Sequence, residues 1–321
     1  MNIEKESFET RLKKADEKIE SAKTNDGDLE IRDALLEKAE LYFEVKDNEN
    51  YRQYILKALE KSVGNSKKLE LNMLILNNYY HERNFEKFLE QLKTCNLYTD
   101  DSLDWESKNK LAIYEGIAHI LRKDIVSAAQ LLLGCINTFN SPEIMSFNEL
   151  VKYSVILGLV GLSRKDVREK IILNSEIFSV LNENTLLKDL TLTIYENRYH
   201  QFFNTLIDVN SEILVKDILL SRHRNHILKR ARIVIYSLFL ESYKTVKLNK
   251  MAASFGVSIE FLDRELSEFI SQKYLNCKID KVNLIVDSVF VDNRSNVYRE
   301  IERKGDALVE RLHKLIKTAD N

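Results

Sequence analysis

The chain has 321 residues, of which 48 are Lys or Arg and 50 are Asp or Glu, so its formal net charge is −2. This balance argues against nucleic acid or an anionic membrane as a partner of the whole chain. One proline and eight glycines predict a protein built almost entirely of helices. The longest apolar run, residues 155–162, is too short to span a bilayer, so no membrane partner is expected.

Residues 1–27 predict an amphipathic helix and a linker. Apolar side chains recur three and four residues apart among charged ones: Phe8, Leu12, Ala15, Ile19 and Ala22. We expect this helix to cap the repeats that follow, because a terminal repeat otherwise exposes apolar surface. Contact with a neighbouring protein is the alternative. The polar start carries neither a secretory signal nor a lipidation motif, so cytoplasm and nucleus are the expected compartments.

Residues 28–220 predict a solenoid of helical repeats. First helices begin near Leu29, Ser66, Asp104 and Phe147, and their partners near Glu49, Phe85 and Ile125. Steps of about 36 to 43 residues fit two helices per repeat. The junctions look alike: Lys46-Asp47-Asn48, Glu82-Arg83-Asn84, Arg122-Lys123-Asp124 and Arg164-Lys165-Asp166. The small residues Ala112, Gly116, Ala128 and Ala129 allow the close helix contact of tetratricopeptide-like repeats. Gly158 and Gly161 lie inside an apolar helix, where close packing is expected.

No arrangement of residues predicts catalysis, a cofactor or a resident metal, so we do not expect an enzyme. Cys95, Cys135 and Cys277 lack paired zinc spacing and are expected to be buried and inert in a reducing compartment. His223 and His226 could share a metal on one helical face, but no further ligand follows at the required spacing.

A local positive patch lies where the repeats end. Its residues are Arg222, Arg224, Lys229, Arg230 and Arg232. Such a patch can dock an acidic partner, and a solvated helix face is the alternative interpretation.

Residues 221–290 predict the end of the repeats and a winged helix. We expect Asn249 to cap a short helix, Gly256 to end it and Ser258 to cap the next helix. An alternating run and a polar turn then predict a two-stranded hairpin over 275–289. The second helix carries four acids against two bases from Ser258 to Lys273, so a phosphate backbone would repel it. Packing against protein is predicted instead.

The hairpin is the predicted protein-binding element of the winged helix, because an open strand edge can pair with a partner. The residues assigned to this surface are Leu275, Cys277, Ile279, Leu284 and Val286. A wing that pairs only within its own domain is the alternative.

Residues 291–321 predict a second interaction surface on a terminal helix. Tyr298, Ile301, Gly305, Leu308, Leu312, Leu315 and Ala319 recur alternately three and four residues apart, which is the heptad spacing of a helix that packs on other helices. A single seam does not identify its partner, so a helix folded back on its own domain is the alternative.

The order of solenoid, winged helix and terminal helix resembles the PCI-domain proteins. Residues 239–244, 251–258, 260–266 and 275–283 resemble, within that class, the family of non-ATPase subunit seven of the 26S proteasome lid, and the likeness reaches upstream to about Asp104. It implies an all-α, tetratricopeptide-like solenoid followed by a winged-helix PCI module with a small β-hairpin and a C-terminal helix.

The resemblance also implies a non-catalytic scaffold. Its expected partners are other lid PCI subunits, the deubiquitinating subunit, a small acidic bridging subunit and the ATPase ring. The expected anchors of a shared C-terminal bundle are Ile301, Leu308, Leu312 and Leu315. The first subunit of the COP9 signalosome shares the layout, and translation-initiation PCI subunits are a further alternative. The wing sequence over 275–283 resembles the proteasome family more.

Overall fold

The computed structural model describes residues 2–24, 28–99, 103–288 and 293–319. The chain divides into two compact units, Met1–Glu183 and Asn184–Asn321. The predicted fold class is confirmed: helices dominate the described residues, and one small antiparallel sheet lies in the second unit.

The described part of the first unit consists of helices joined by short turns. They are α1 (Asn2–Thr24), α2 (Asp28–Glu44), α3 (Asn48–Glu60), α4 (Asn65–His81), α5 (Phe85–Leu97), α6 (Trp105–Leu121), α7 (Ile125–Cys135), α8 (Phe147–Gly161), α9 (Arg164–Val167) and α10 (Ser175–Glu183). A 3₁₀ turn, Ile136–Thr138, follows α7, and a π turn, Arg168–Ile172, follows α9. The predicted helix starts from Leu29 to Phe147 lie within one residue of those observed.

The three turns α2–α3, α4–α5 and α6–α7 share one conformation, which explains the repeated junction sequence. The basic residues Lys46, Arg83 and Lys123 adopt left-handed backbone angles, with φ of 63°, 61° and 66°. The following Asp47, Asn84 and Asp124 each cap the next helix by accepting a hydrogen bond from the N–H three residues later. A left-handed residue ends one helix and the cap begins the next, so each pair turns sharply.

The fourth predicted junction, Arg164-Lys165-Asp166, does not form this turn. Ser163 is the N-cap there, and its hydroxyl accepts a hydrogen bond from the N–H of Asp166 at 3.3 Å. Lys165 and Asp166 therefore lie inside α9.

Glycine allows paired helices of the first unit to approach closely. A Cβ added to Gly116 on α6 would lie 2.6 Å from Cδ2 of Leu132 on α7. A Cβ on Gly158 of α8 would lie 2.8 Å from Cδ1 of Ile171. Both distances are shorter than a carbon–carbon contact allows, so the predicted role of these glycines in packing is confirmed.

The N-terminal helix α1 packs against α2. Ala15 and Ile19 are buried and Leu12 is half-buried. This contact matches the predicted capping of the repeats. The side chains of Phe8 and Ala22 and the predicted linker at 25–27 lie outside the described residues.

The second unit contains the winged helix. Its elements are α11 (Thr185–Tyr195), α12 (Tyr199–Val209), α13 (Arg224–Glu241), β1 (Thr245–Lys247), α14 (Leu248–Phe255), α15 (Ile259–Ser271), β2 (Cys277–Asp280), β3 (Ile285–Ser288) and α16 (Asn293–Ala319). A π turn, Asn210–Leu214, and a 3₁₀ turn, Ser221–His223, lie between α12 and α13.

An aromatic cluster around Phe255 forms the core of this unit. The ring of Phe255 lies 5.1 Å from the ring of Tyr199 on α12, 5.1 Å from that of Tyr236 and 5.4 Å from that of Phe239 on α13. The helix α12 therefore shares a core with the winged helix. This explains why the units divide at residue 183, earlier than the solenoid end that the sequence predicted at residue 220.

The winged helix differs from the prediction in two respects. The sheet has three strands in the order β1-β3-β2, because Thr245–Lys247 pairs with β3 before α14 begins. The N-cap of α14 is Lys247 instead of the predicted Asn249, and no side chain caps that end. Gly256, with φ of 67°, and the cap by Ser258 match the prediction.

Candidate protein-interaction surfaces

The acidic residues of α15 are used mainly to attach this helix to its own unit. Glu265 accepts a hydrogen bond from the Tyr236 hydroxyl at 2.8 Å and pairs with Arg232 at 3.0 Å. Glu268 pairs with Lys229 at 2.8 Å, and this contact lowers the pKa of the Glu268 carboxyl. Burial, and secondarily Glu265, raises the pKa of Tyr236. The acid-rich composition that argued against groove binding therefore has a structural cause in the packing of α15 on α13.

The predicted basic patch is consequently smaller than its sequence indicates. Lys229 also hydrogen-bonds Gln272 at 2.7 Å and lies over the ring of Phe269, so it is not available as the sequence predicted. Arg222 is exposed, and Arg224 and Arg230 are half-buried. The Nε atom of Arg230 is buried and donates no hydrogen bond to the residues that the structure describes.

The strand register identifies which backbone groups of the sheet are available. Ser288 N donates to Lys244 O, and Leu248 N donates to Leu284 O, so Val246 and Val286 face each other as a hydrogen-bonded pair. Backbone groups alternate in direction along a strand, so β3 meets β2 through residues 285 and 287.

The outer edge of β2 is therefore formed by the N–H and C=O groups of Cys277 and Ile279. On β1 the equivalent outward groups belong to Thr245 and Lys247. Within the described sheet neither edge pairs with another strand. The sequence did not reveal the β1 edge, because three residues are too few to show an alternating pattern.

The five residues predicted for the wing surface thus occupy different environments. Leu275, Cys277 and Val286 are buried, Ile279 is half-buried and Leu284 is exposed. Val286 lies on the central strand, and the C=O of Leu284 already accepts a hydrogen bond, so neither provides a strand edge. In a two-stranded hairpin one side of β3 would be open, but here β1 pairs with that side.

The C-terminal helix α16 presents its apolar seam to solvent. Ile301 and Leu308 are each 61% exposed, Leu312 is 49% exposed and Leu315 is 64% exposed. A Cβ added to Gly305 would meet nothing within 4 Å, so the seam includes an open position. The side chain of Ala319 lies outside the described residues. This seam is a solvent-exposed hydrophobic surface of the kind that marks interaction sites.

The cysteines are buried, and the two histidines considered as metal ligands lie on different elements. All three cysteines are buried, as predicted, and burial raises the pKa of Cys95 to about 12 and the pKa of Cys135 and Cys277 to about 11. His223 ends a 3₁₀ turn while His226 lies on α13. Across the described ranges, no three His, Cys, Asp or Glu residues are grouped to hold a metal ion.

Among the helices that the structure describes, none combines the length and the apolar character needed to cross a bilayer.

Helical repeats that lead into a winged helix with a three-stranded sheet define the class of PCI-domain proteins. The PCI domain family matches residues 165–288, which include the whole winged helix. The family described as 26S proteasome subunit RPN7 matches residues 2–170, and the chain belongs to this family.

Curated relatives carry the same likeness over nearly the whole chain. The 26S proteasome regulatory subunit RPN7 of Saccharomyces cerevisiae is 32% identical, over 95% of this chain and 72% of the relative. The regulatory subunit rpn7 of Schizosaccharomyces pombe is 34% identical, over 95% of this chain and 78% of its own. The 26S proteasome non-ATPase regulatory subunit 6 homolog of Arabidopsis thaliana is 32% identical over 97% of this chain and 80% of the relative.

Proposed function

We propose that this protein is a non-catalytic scaffold subunit of the proteasome 19S regulatory particle lid, where it supports ubiquitin-dependent protein degradation by holding lid subunits together. The observation that carries the proposal is the exposed apolar seam of α16. Burying Leu308, Leu312 and Leu315 against partner helices would remove a continuous apolar surface from water. The names of the relatives, regulatory and non-ATPase subunits of the 26S proteasome, support the placement and the non-catalytic role.

The winged helix supplies the second contact of the proposed scaffold. A strand or helix of a neighbouring PCI subunit would pair with the β2 edge, where Cys277 and Ile279 offer their outward backbone groups. Leu284, exposed at the β2–β3 turn, would contribute side-chain contact. Leu275, Cys277 and Val286 support this surface from within the core.

For the remaining partners we propose fewer contact residues. The small acidic bridging subunit would dock on Arg222, Arg224 and Arg230, whose guanidinium groups favour carboxylates. The deubiquitinating subunit and the ATPase ring are partners of the assembled lid. The cytoplasm and the nucleus are the proposed compartments.

Affinity purification of the tagged chain from its own cells tests the scaffold proposal. We expect lid PCI subunits and the deubiquitinating subunit to co-purify with the full chain and to be lost from a truncation that ends at residue 295, before the seam. Circular dichroism of the truncated chain provides the folding control, since the helices before α16 should remain.

The same purification separates the alternatives. Recovery of signalosome or translation-initiation subunits in place of lid subunits would overturn the proteasome assignment. Recovery of lid subunits by the truncated chain would retain the assignment and remove α16 as its anchor. The names of the relatives favour the proteasome over the signalosome alternative.

A further inference from the structure

The first unit contains a groove that the scaffold proposal does not use. It has a volume of about 380 Å³ and lies among α2, α4, α6 and the segment before α8. Its apolar lining comprises Leu36, Leu71, Met73, Leu74, Tyr114 and Ile144. Leu74 is exposed and Leu36 is half-buried, so part of this apolar surface is accessible from solvent.

The rim of the groove carries a strong excess of negative charge. Glu70, Asp104, Glu106 and Glu143 line it together with one cation, Lys110. Lys110 pairs with Glu106 at 3.1 Å. The other three carboxylates have no ion-pair partner among the residues that the structure describes.

Within the described residues, the carboxylates of Asp104 and Glu143 show no hydrogen bond to the rest of the unit. Asp104 occupies the N-cap position of α6, but its side chain makes no capping hydrogen bond. Glu143 is exposed beside the buried Tyr114, whose pKa is raised by burial and, to a smaller extent, by the Glu143 carboxylate. Apart from the Lys110–Glu106 pair, no ion pair among the described residues offsets the negative charge of this rim.

Two further observations mark the groove as a contact site. The Oδ1 atom of Asn77, which lines the groove, is buried and accepts no hydrogen bond. An incoming donor would satisfy it once the side chain rotated toward the groove. Trp105, the single tryptophan of the chain, stands between Asp104 and Glu106 and is 62% exposed. Both sequence neighbours of Trp105 line the groove, so the indole lies close enough to report on a ligand that binds there.

We propose that this groove docks a basic segment of a partner protein. Lys or Arg side chains of that segment would meet Glu70, Asp104 and Glu143, while an apolar side chain would pack on Leu36 and Leu74. The charge of the rim selects this occupant, because a nucleic acid or an acidic peptide would be repelled. The inference goes beyond the scaffold proposal, since it rests on neither the wing nor α16.

Fluorescence of Trp105 provides a direct test with the full chain. The probe is a synthetic peptide of alternating Arg and Leu, and the matched probe replaces each Arg with Glu. We expect the Arg peptide to change the emission of Trp105 and to bind more weakly as the salt concentration rises. The Glu peptide should produce no saturable change.

Variants of the rim locate the binding. The combined change Glu70→Gln, Asp104→Asn and Glu143→Gln should raise the Kd for the Arg peptide about tenfold, since each screened pair contributes about a two- to fivefold effect. The control is Glu90→Gln on α5, which removes one exposed carboxylate outside the groove and should leave the Kd unchanged. An unchanged Kd in the triple variant, or equal binding of both peptides by the parent chain, would overturn the proposal.

Charge reversal guards against a variant that merely loses its fold. The combined change Glu70→Lys, Asp104→Lys and Glu143→Lys should make the chain bind the Glu peptide and reject the Arg peptide. If the charge-reversed variant loses its helical circular dichroism, Leu74→Ser is used instead. This change leaves every charge in place and should raise the Kd for the Arg peptide about threefold or more.

The assembled complex supplies the remaining test. A photo-reactive residue at position 74, introduced into the complex purified from cells, should crosslink to a segment with a net positive charge. Crosslinks to an acidic segment, or no crosslink at all, would refute a basic occupant. Crosslinking is independent of the α16 truncation, so its failure and the failure of the scaffold proposal are distinguishable.

Discussion

The helices α1 and α16 share the same spacing of apolar residues, but these residues are buried on α1 and exposed on α16. Both place apolar residues alternately three and four apart among many charges. On α1, Ala15 is 2% exposed and Ile19 is 8% exposed, because α2 covers them. On α16, Leu308 and Leu315 are more than half exposed. The spacing therefore predicts an apolar face and leaves open whether the same chain covers it.

Charge placement distinguishes the two helices better than the apolar spacing does. Ion pairs join α1 to α2: Arg11–Glu44, Lys18–Glu37 and Asp16–Lys38. On α16, Lys304 pairs with Glu300, which lies on the same helix. Val309 and Ile316 also extend the α16 seam to one side, which gives the three-in-seven apolar face of a bundle helix.

Disrupting the α16 seam should have the largest effect and should act on assembly alone. The combined change Leu308→Ser, Leu312→Ser and Leu315→Ser removes three anchors, so recovery of partner subunits should fall about a hundredfold or more. The free energy of unfolding of the isolated chain should change by less than about 0.5 kcal/mol, because these side chains are already exposed.

The opposite face of α16 offers a matched control. Arg303→Ser, Glu310→Ser and Lys314→Ser change three residues outside the seam, and recovery of partners should stay near that of the parent chain. Equal losses from both faces would show that the seam is not the contact. A large loss of unfolding free energy in the seam variant would show that α16 packs on its own chain.

The change Ile19→Ala tests the packed member of the pair. Removing this buried side chain from the α1–α2 contact should lower the free energy of unfolding by about 2–3 kcal/mol. Urea unfolding of the full chain, followed by circular dichroism, measures the loss. Leu312→Ala on α16 is the control and should change the free energy by less than about 0.5 kcal/mol. Equal effects at the two positions would contradict the contrast between the helices.

The ion pair Asp16–Lys38 should contribute less than the apolar contact. The Lys38 side chain is 9% exposed, so Asp16→Asn leaves a buried ammonium without its carboxylate. The ring of Tyr54, 4.7 Å from Nζ, retains part of the interaction. We expect a loss of about 1–2 kcal/mol in urea unfolding. Glu300→Gln on α16 breaks an exposed pair and should cost about 0.3 kcal/mol. A larger loss from Glu300→Gln would reverse the predicted order.

Local sequence signals predicted the repeats of the first unit well, because each signal has a local physical cause. Lys123 ends α6 in the left-handed conformation, and the adjacent Asp124 caps α7. Because both signals lie in two adjacent residues, the turn can be predicted from the sequence. Lys165 and Asp166 resemble this junction in sequence but do not form the turn. Ser163 caps α9, so both residues lie inside that helix.

The second unit was less predictable because its decisive contacts join distant residues. The pairing of β1 with β3 spans about forty residues, and three residues of strand carry no alternation that could announce it. Likewise the basic patch and the acidic helix were interpreted as separate surfaces, although Lys229 and Glu268 neutralise each other across the contact of α13 and α15. A charged helix face can therefore lie in a contact within the same unit. The converse holds on α16, where an apolar face is exposed to solvent.

Acidification should reveal the small contribution of the Lys229–Glu268 pair to stability. The Lys229 ammonium, through its hydrogen bond, holds the pKa of Glu268 below its ordinary value of 4.5, so folding favours the ionised carboxylate. This stabilisation is present above pH 4.5 and is lost as the pH falls through the lowered pKa of the folded chain. The parent chain should therefore exceed Glu268→Gln in unfolding free energy at neutral pH, and the difference should shrink in acid. Because Glu268 is exposed, the effect should be the smallest of the set. Urea unfolding across the acid range measures it, and a difference that stayed constant with pH would show that the ion pair does not stabilise the winged helix.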